Sequence, residues 1–462
     1  MRHKQGVKAV NESMLWLLRD TRRAKKQGMN AIKERQRARL AEIVAFARAN
    51  SPYYRELYKD LPERVEDATL LPITSKKKLM ARFDDWCTDR EVTFDKVSAF
   101  VDNSDLIGER FLDKYTITTT SGTTGTRGIF LLDDRSLSVA GAIAFRMMSS
   151  WLGACDVVRI IAGGARMAMV NAMSGHYASS VAATRLCKQR GKAVQVFPVH
   201  MPLSEMVAGL NRFRPVIVAP YASMGALLAS EQEAGRLHIN PVLMVLSAEG
   251  LPAREYDRIA GAFNTKVRHS YAATECPFLS YVCEHGWLHV NSDWLVLEAV
   301  DANYQPVPPG EWSHTVLLSN LANRIQPILR YDLGDSVMLR PDPCPCGNPL
   351  PAIRVQGRAA DLLTFPTDHG KPITVPPLVF VALVDRVPGI DIIQIVQTTP
   401  TNLRVRLRPA AGADPNLVWQ EVNTEITRLL TGHKLGHVTV ERAEEPPEQS
   451  PGGKFRKIIP LR

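Results

Sequence analysis

A chain of 462 residues is long enough for two or more domains of the usual ~100–200 residues, and its 45% hydrophobic and 23% charged content is that of an ordinary globular protein. A net charge of +10 leaves nucleic acid, anionic surfaces and polyanionic small molecules as partners, while seven cysteines, an odd count without even spacing, argue against a disulfide scaffold. No window approaches the ~20 uninterrupted apolar residues of a membrane span, and the opening MRHKQGVKAVNES lacks the apolar core of a signal peptide, so a soluble, cytoplasmic protein without membrane insertion is expected.

Residues 1–114 read as a helical entry region. Leu40, Ile43, Val44 and Ala47 recur at helical spacing, and Ser51-Pro52 is expected to stop that helix. Arg22, Arg23, Lys25, Lys26, Lys33, Arg35, Arg37 and Arg39 read as a solvated helix face. A connector bearing Pro and Lys spans Leu61 to Lys78. Tyr115 to Thr118 then reads as a strand, and up to Tyr271 short β-branched runs alternate with helical ones. Strands are predicted at Val157–Ile161, Val194–Phe197, Val216–Val218, Val242–Leu246 and Lys266–Tyr271, with helices at Met224–Ala234 and Ala253–Phe263. Such alternation implies a parallel sheet covered by helices, with binding loops at the strand C-termini. From His289 to Leu339 the chain turns strand-rich and antiparallel. Past Gly357-Arg358 a hairpin (Ile392–Val396, Leu403–Leu407) precedes a helix capped by Asp414 with Pro415 at its first position, and a strand at Val438–Glu441. The expected fold is therefore α/β. A large domain, 1–356, would combine the parallel helix-covered sheet with antiparallel strands, and a small mobile α+β domain, 357–462, would hinge near 357–361.

The stretch Thr118 to Gly128 (TTTSGTTGTRG) is built almost wholly of Ser, Thr and Gly. Glycines let backbone approach an anion, and hydroxyls and N–H groups donate to phosphate oxygens. It follows a strand, as a phosphate cradle should, but has neither the spacing nor the Gly-Lys-Ser/Thr of a Walker A loop. Composition alone would equally suit a flexible linker.

Further along stand Ser247-Ala248-Glu249-Gly250, the run Tyr271 to Glu275 (YAATE), Arg330 to Asp335 (RYDLGD), Gly357-Arg358 and Gly453-Lys454. With SGTTG at Ser121–Gly125, these resemble, in order, the signatures of the adenylate-forming superfamily of acyl- and aryl-CoA synthetases, adenylation domains and luciferases. The resemblance implies that Ser121, Gly122, Thr123, Thr124 and Gly125 grip the phosphates of ATP. Ala248, Glu249, Tyr271 and Ala272 would meet adenine, Thr274 the α-phosphate and Glu275 magnesium. Asp335 would take the ribose hydroxyls, Arg358 would reach the nucleotide across the hinge, and Lys454 would neutralise charge during adenylation. Magnesium prefers hard oxygen ligands such as a carboxylate and phosphates, which suits Glu275. Ser51 to Tyr58 (SPYYRELY), Leu71 to Lys76 (LPITSK) and Cys344-Pro-Cys346-Gly347 before the hinge resemble the phenylacetate–CoA ligase and capsule-biosynthesis-type branch. Two departures stand out: Thr126-Arg127-Gly128 replaces the usual Pro-Lys-Gly, and Ala360 then Asp361 follow the hinge Arg.

The resemblance implies an AMP-forming acid–thiol ligase acting on a carboxylic acid, with coenzyme A as the expected acceptor. An alternative acceptor is a carrier-protein thiol, an amine or another nucleophile; a remote alternative is a zinc-stabilised nucleic-acid-binding protein. No nucleic acid is expected as a partner, and a homodimer is compatible with the reading. Cys283, His289, Cys344 and Cys346 could close a tetrahedral structural zinc site, with His285 and Cys276 as competing ligands and incidental buried thiols as the alternative. The methionines of GARMAMVNAMSGHY, read as a methionine-bearing helix, give either core or a soft pocket wall; Met169, Met173 and Tyr221 are the pocket candidates.

Overall fold

The structure is a computed structural model. It describes residues 12–461 except 121–126, 172, 174, 200, 249, 252, 359–362, 368–371, 376–379, 381–383, 385–386, 434 and 449–455, and of residues 223, 357, 358 and 374 only the backbone.

The chain enters through two helices, Met14–Gln27 and Met29–Asn50, joined at Gly28, whose φ of 85° glycine adopts without strain. The basic run on these helices is not uniformly solvated. Arg39 is buried, donating to Asp20 Oδ2 at 2.5 Å and to the Asp293 carbonyl at 2.6 Å, with its guanidinium 3.5 Å from the Trp294 ring centre. The reason is geometric: the planar guanidinium stacks and donates at once, which a lysine cannot do. Ser51 does end the second helix, but it also caps a further one. Its hydroxyl accepts from Tyr54 N, and Pro52 occupies the first position of helix Pro52–Leu57, where its missing N–H costs nothing.

The central sheet has nine strands. Lys266–Ala273, Leu243–Leu246, Ile217–Pro220, Met167–Asn171 and Val194–Pro198 are parallel neighbours in that order. Beyond Lys266–Ala273 the sheet continues antiparallel through Cys276–Val282, Leu288–Val290, Ala352–Arg358 and Asp335–Leu339. Two expectations are overturned here. Val157–Ile161 is helix, within Ala154–Ala162, and the strand lies instead at Met167–Asn171, in the segment read as a methionine-bearing helix. β-Branched residues carry only a weak preference, and Asp156 fixes the helix start by accepting from Gly153 N at 2.8 Å. In Met167–Asn171 the buried positions Ala168 and Val170 alternate with half-buried methionines, a period of two that an all-apolar run conceals.

Three large cores form. One joins the entry helices to the antiparallel strands, one lies under the parallel strands, and the third is drawn wholly from Leu363 to Ile458. The third is built on the hairpin Ile390–Thr399 and Asn402–Pro409, flanked in parallel by Thr439–Arg442 and Ile458–Ile459, with helix Pro415–Gly432 capped by Asp414. Among the described residues no helix is long and apolar enough to cross a membrane.

One buried ion pair ties the first core together. Arg146 donates to both carboxylate oxygens of Asp293, at 2.9 and 3.0 Å, and to Asn291 Oδ1 at 2.7 Å, with the Asp293 side chain fully buried. Removing one partner strands a charge where water cannot reach it. Asp293→Ala should therefore lower the unfolding free energy by about 3–5 kcal/mol in urea denaturation, and Arg146→Met combined with Asp293→Leu should recover most of that loss.

Candidate active site and candidate metal centre

The Ser/Thr/Gly loop springs from a hairpin. Tyr115–Thr119 pairs antiparallel with Ile129–Leu132, and the neck is closed by Thr120 N donating to the Gly128 carbonyl at 3.0 Å and Gly128 N donating to Thr120 Oγ1 at 2.8 Å. A Cβ on Gly128 would lie 2.6 Å from the Phe130 ring, so only glycine closes this neck without displacing the ring. Ser121, Gly122, Thr123, Thr124 and Gly125 themselves lie outside the described residues. Arg127, in the place of the usual lysine, is turned to the end of helix Phe94–Asp102: Nη1 is 3.2 Å from Asp102 Oδ1 and Nη2 donates to the Val101 carbonyl at 3.5 Å. Thr119 N donates to the His176 carbonyl at 2.7 Å, and His176 Nε2 donates to the Asn103 carbonyl at 3.1 Å.

Tyr271, Ala272, Thr274 and Glu275 converge where the sheet changes direction. The parallel strand Lys266–Ala273 reverses into Cys276–Val282 with Ala273 opposite Cys276, leaving Thr274 and Glu275 as the turn. Glu275 is 7% exposed; Tyr331 Oη donates to its Oε1 at 2.8 Å, and its carbonyl accepts from Asn320 Nδ2 at 3.2 Å. Tyr271 Oη donates to Asp335 Oδ2 at 2.5 Å. Asp335 in turn stands opposite Arg358 in the strand register, which brings the backbone of Arg358 to the same corner. Thr274 is half-buried and Ala272 exposed. Tyr331 and Asn320 were not singled out from the sequence. Tyr331 stands inside the RYDLGD run, one residue from its start, so a signal for it was present beside Asp335.

Ala248 is exposed and takes φ of 69° just after strand Leu243–Leu246. Leu251 N donates to Tyr256 Oη at 3.3 Å, and Tyr256 stacks on His269 with ring centres 4.7 Å apart. Burial, and then Arg268, push His269 down to about 4, so its ring is neutral at pH 7. Leu246 pairs with His269, so the Ser247–Ala248 turn and Tyr271 leave neighbouring strands at the same end. Ligands of open α/β sheets bind at that end. Glu249, Lys454, Ala360, Asp361 and the Arg358 side chain fall outside the described residues. Of the pocket candidates, Tyr221 is 2% exposed and shares a 2.9 Å hydrogen bond with Ser179 Oγ. Met169 is half-buried inside a strand, and Met173 is exposed.

Cys283, His289, Cys344 and Cys346 come together, with all four ligand atoms within 4.8 Å of one another. Two tight turns present the cysteines. Cys283 N donates to the Trp287 carbonyl with Gly286 at φ 73°, and Gly347 N donates to the Cys344 carbonyl with Gly347 at φ 72°. His289 Nδ1 donates to the Leu350 carbonyl at 2.9 Å, which leaves Nε2 as the ligating nitrogen, 3.2 Å from Cys346 Sγ. Cys283 and Cys344 sulfurs are 3.7 Å apart, too far for a disulfide and close to the ~3.8 Å edge of a tetrahedron with Zn–S bonds of ~2.3 Å. Burial first, then the crowding of Cys344 and Cys283, push the Cys346 thiol up to about 12; a divalent cation among them would reverse that by favouring thiolates. The donor set thus fits zinc, with no position left open. Cys276 is buried elsewhere and His285 lies beside Glu284, so neither belongs to the group. The cluster caps the Asp335–Leu339/Ala352–Arg358 hairpin at the end away from Asp335, about 13 Å along the strands.

No protein-family model and no curated protein matches the chain by sequence. Solved structures do match in shape. 2-Hydroxyisobutyryl-CoA ligase in the postadenylation state, in complex with R3-HIB-AMP, superposes with a TM-score of 0.65 at 19% identity, over 100% of this chain and 95% of that one. The same ligase with 2-HIB-AMP and CoA in the thioesterification state gives 0.53 at 20% identity over the same shares. An ATP-bound RpMatB-BxBclM chimera gives 0.50 at 15% identity, over 74% of this chain and 66% of that one. Over its whole length, the chain has the α/β fold of the adenylate-forming ligases.

Proposed function

We propose that the protein activates a carboxylic acid as its acyl-adenylate at the expense of ATP, then passes the acyl group to a thiol, coenzyme A being the acceptor that the fold neighbours favour. The observation that carries this reading is the corner formed by the Tyr271–Asp335 and Tyr331–Glu275 pairs, on a fold shared end to end with an acyl-CoA ligase. An acid carboxylate oxygen attacks the α-phosphorus in line; the bond to the bridging oxygen breaks, and pyrophosphate leaves with that electron pair. Such chemistry needs positioning and charge stabilisation more than covalent help.

In this reading Asp335, oriented by Tyr271, accepts from the ribose hydroxyls. Ala248, Glu249, Tyr271 and Ala272 frame adenine. Ser121 to Gly125 hold the departing phosphates, Thr274 meets the α-phosphate, and Arg358 reaches the nucleotide. Glu275 holds magnesium, whose charge, when bound, stabilises the phosphate oxygens. Lys454 answers the charge that develops between acyl and phosphoryl groups. The division at 357 into a large unit and a small mobile one is supported by the separate core of Leu363 to Ile458. A place in the phenylacetate–CoA ligase-like branch rests on SPYYRELY, LPITSK and the Cys-Pro-Cys-Gly turn at Cys344. Cys283, His289, Cys344 and Cys346 hold a structural zinc in this reading.

Acid-dependent ATP–pyrophosphate exchange, screened over aryl, aliphatic and amino acids, tests the first half-reaction. Lys454→Ala should lower exchange at least a hundredfold, by about 3 kcal/mol of lost transition-state stabilisation, while a preformed acyl-adenylate is still consumed. Exchange that survives this change removes Lys454 from its role. Tyr331→Phe should raise the magnesium concentration needed for half-maximal exchange about tenfold with little change at saturation, since the change leaves Glu275 less firmly oriented. Metal analysis should find one zinc per chain, lost with Cys346→Ser along with several degrees of melting temperature. Substoichiometric zinc that adding the metal does not raise would sink the metal assignment.

A further inference from the structure

One helix is turned inside out. Ala154–Ala162 has no buried residue, and its apolar stripe faces water: Val157, Val158 and Ile161 are 43%, 65% and 69% exposed. With Ala154 these positions share one face at helical spacing. Its acid, Asp156, faces inward beside Ile160, the one half-buried apolar side chain of the helix. The carboxylate accepts from Lys266 Nζ at 2.6 Å and from Gly153 N at 2.8 Å, and the side chain is 15% exposed. An ordinary surface helix does the opposite.

The surroundings of this helix are basic. Arg166 precedes strand Met167–Asn171, Arg190 and Lys192 precede Val194–Pro198, and Arg212 and Arg214 precede Ile217–Pro220. These strands are parallel, so all five residues lie at one edge of the sheet. Two contacts hold that edge together, Arg190 Nη2 donating to the Ala165 carbonyl and Arg166 Nε to the Arg214 carbonyl, both at 3.1 Å, and Ala165 N donates back to the Ile160 carbonyl of the helix at 2.8 Å. Other cations nearby are neutralised, Lys188 by Glu109, Arg236 by Glu231 and Arg258 by Glu233. The five have no ion pair among the described residues. Lysine and arginine are common in last turns of helices, but an exposed apolar stripe beside them is not.

We infer that this edge is an interfacial binding surface for an anionic lipid bilayer. The stripe of Val157, Val158 and Ile161 enters the boundary between headgroups and acyl chains, and the arginines and Lys192 meet the anionic heads. Charge selects this occupant. A two-fold contact with a second copy would set the same cationic patch against itself. A thiol carrier would dock at the edge away from Ala248, Tyr271 and Glu275, where its thiol is needed. Bound this way, the molecule turns its strand C-termini, and with them the candidate active site, away from the membrane. The inference does not depend on which reaction occurs there.

The test uses the full chain and sedimentation with vesicles of phosphatidylcholine, with and without about one-third phosphatidylglycerol. The chain should pellet with the anionic vesicles at least about tenfold more than with neutral ones, and lose that excess in about 0.5 M salt. Val158→Asp with Ile161→Asp, and separately Arg166→Gln with Arg190→Gln and Arg214→Gln, should each reduce pelleting about tenfold. Both variants change exposed or half-buried side chains, so circular dichroism melting and pyrophosphate exchange should match the parent, which separates lost binding from lost folding. Absence of binding to anionic vesicles, or undiminished binding by the Asp variant, overturns the inference. So does a dimer in sedimentation velocity that the Asp variant converts to monomer, since the stripe is then covered by a second copy.

Discussion

Between Ala273 and Cys276 the chain reverses direction in two residues, and that reversal decides where Thr274 and Glu275 stand. Up to Ala273 the strands are parallel, so their C-terminal ends point one way and release their turns into one crevice. After Cys276 the sheet continues antiparallel, and strand direction alone does not carry Asp335 to that end. The hydrogen bond from Tyr271 Oη to Asp335 Oδ2 joins the last hairpin to the parallel part, with the backbone of Arg358 opposite Asp335 in register. Glu275 stands in the turn itself, nearly buried, and a buried carboxylate demands a donor. Tyr331 supplies it from a separate small sheet, anchored by Leu318 opposite Tyr331.

The same logic of satisfied burial explains how the entry helices are attached. Arg39 and Arg146 both reach Asp293, one through its carbonyl and the other through its carboxylate, and Trp294 stacks under Arg39. Two cations therefore share one short segment, with Asp20 and Asn291 completing the donor–acceptor count. Such a network specifies a unique docking of helix on sheet more than it adds stability, because desolvation offsets much of the attraction. The cluster of Cys283, His289, Cys344 and Cys346 gathers the turns at Cys283 and Cys344, which are held in place by Leu288 pairing with both Val282 and Ile353.

Much of the architecture was legible. Strands at Val194, Val242 and Lys266, the hairpin near Ile392 and the helix capped by Asp414 all occur, because alternation, turn residues and caps act locally. Two segments misled. Val157–Ile161 has strand-forming residues but no strand beside it to pair with, and an Asp at the third position fixes a helix start. Met167–Asn171 lacks β-branched residues at most positions, yet lies between two parallel neighbours that satisfy its backbone on both sides. In both, pairing partners distant in sequence outweighed propensity.

The sequence by itself determined the candidate groups and their order: the Ser/Thr/Gly loop, a carboxylate at 275 and at 335, a lysine near the end, and three thiols with an imidazole. These depend on side-chain chemistry, which no fold alters. Only the tertiary structure decided which of them meet. Tyr331 becomes the partner of Glu275, Tyr271 the partner of Asp335, and Arg127 turns to Asp102 rather than standing loose in the loop, because each contact joins residues 25 to 64 positions apart. Only the structure, too, showed that Val157, Val158 and Ile161 face outward, since the direction of an apolar stripe is set by what packs beneath the helix.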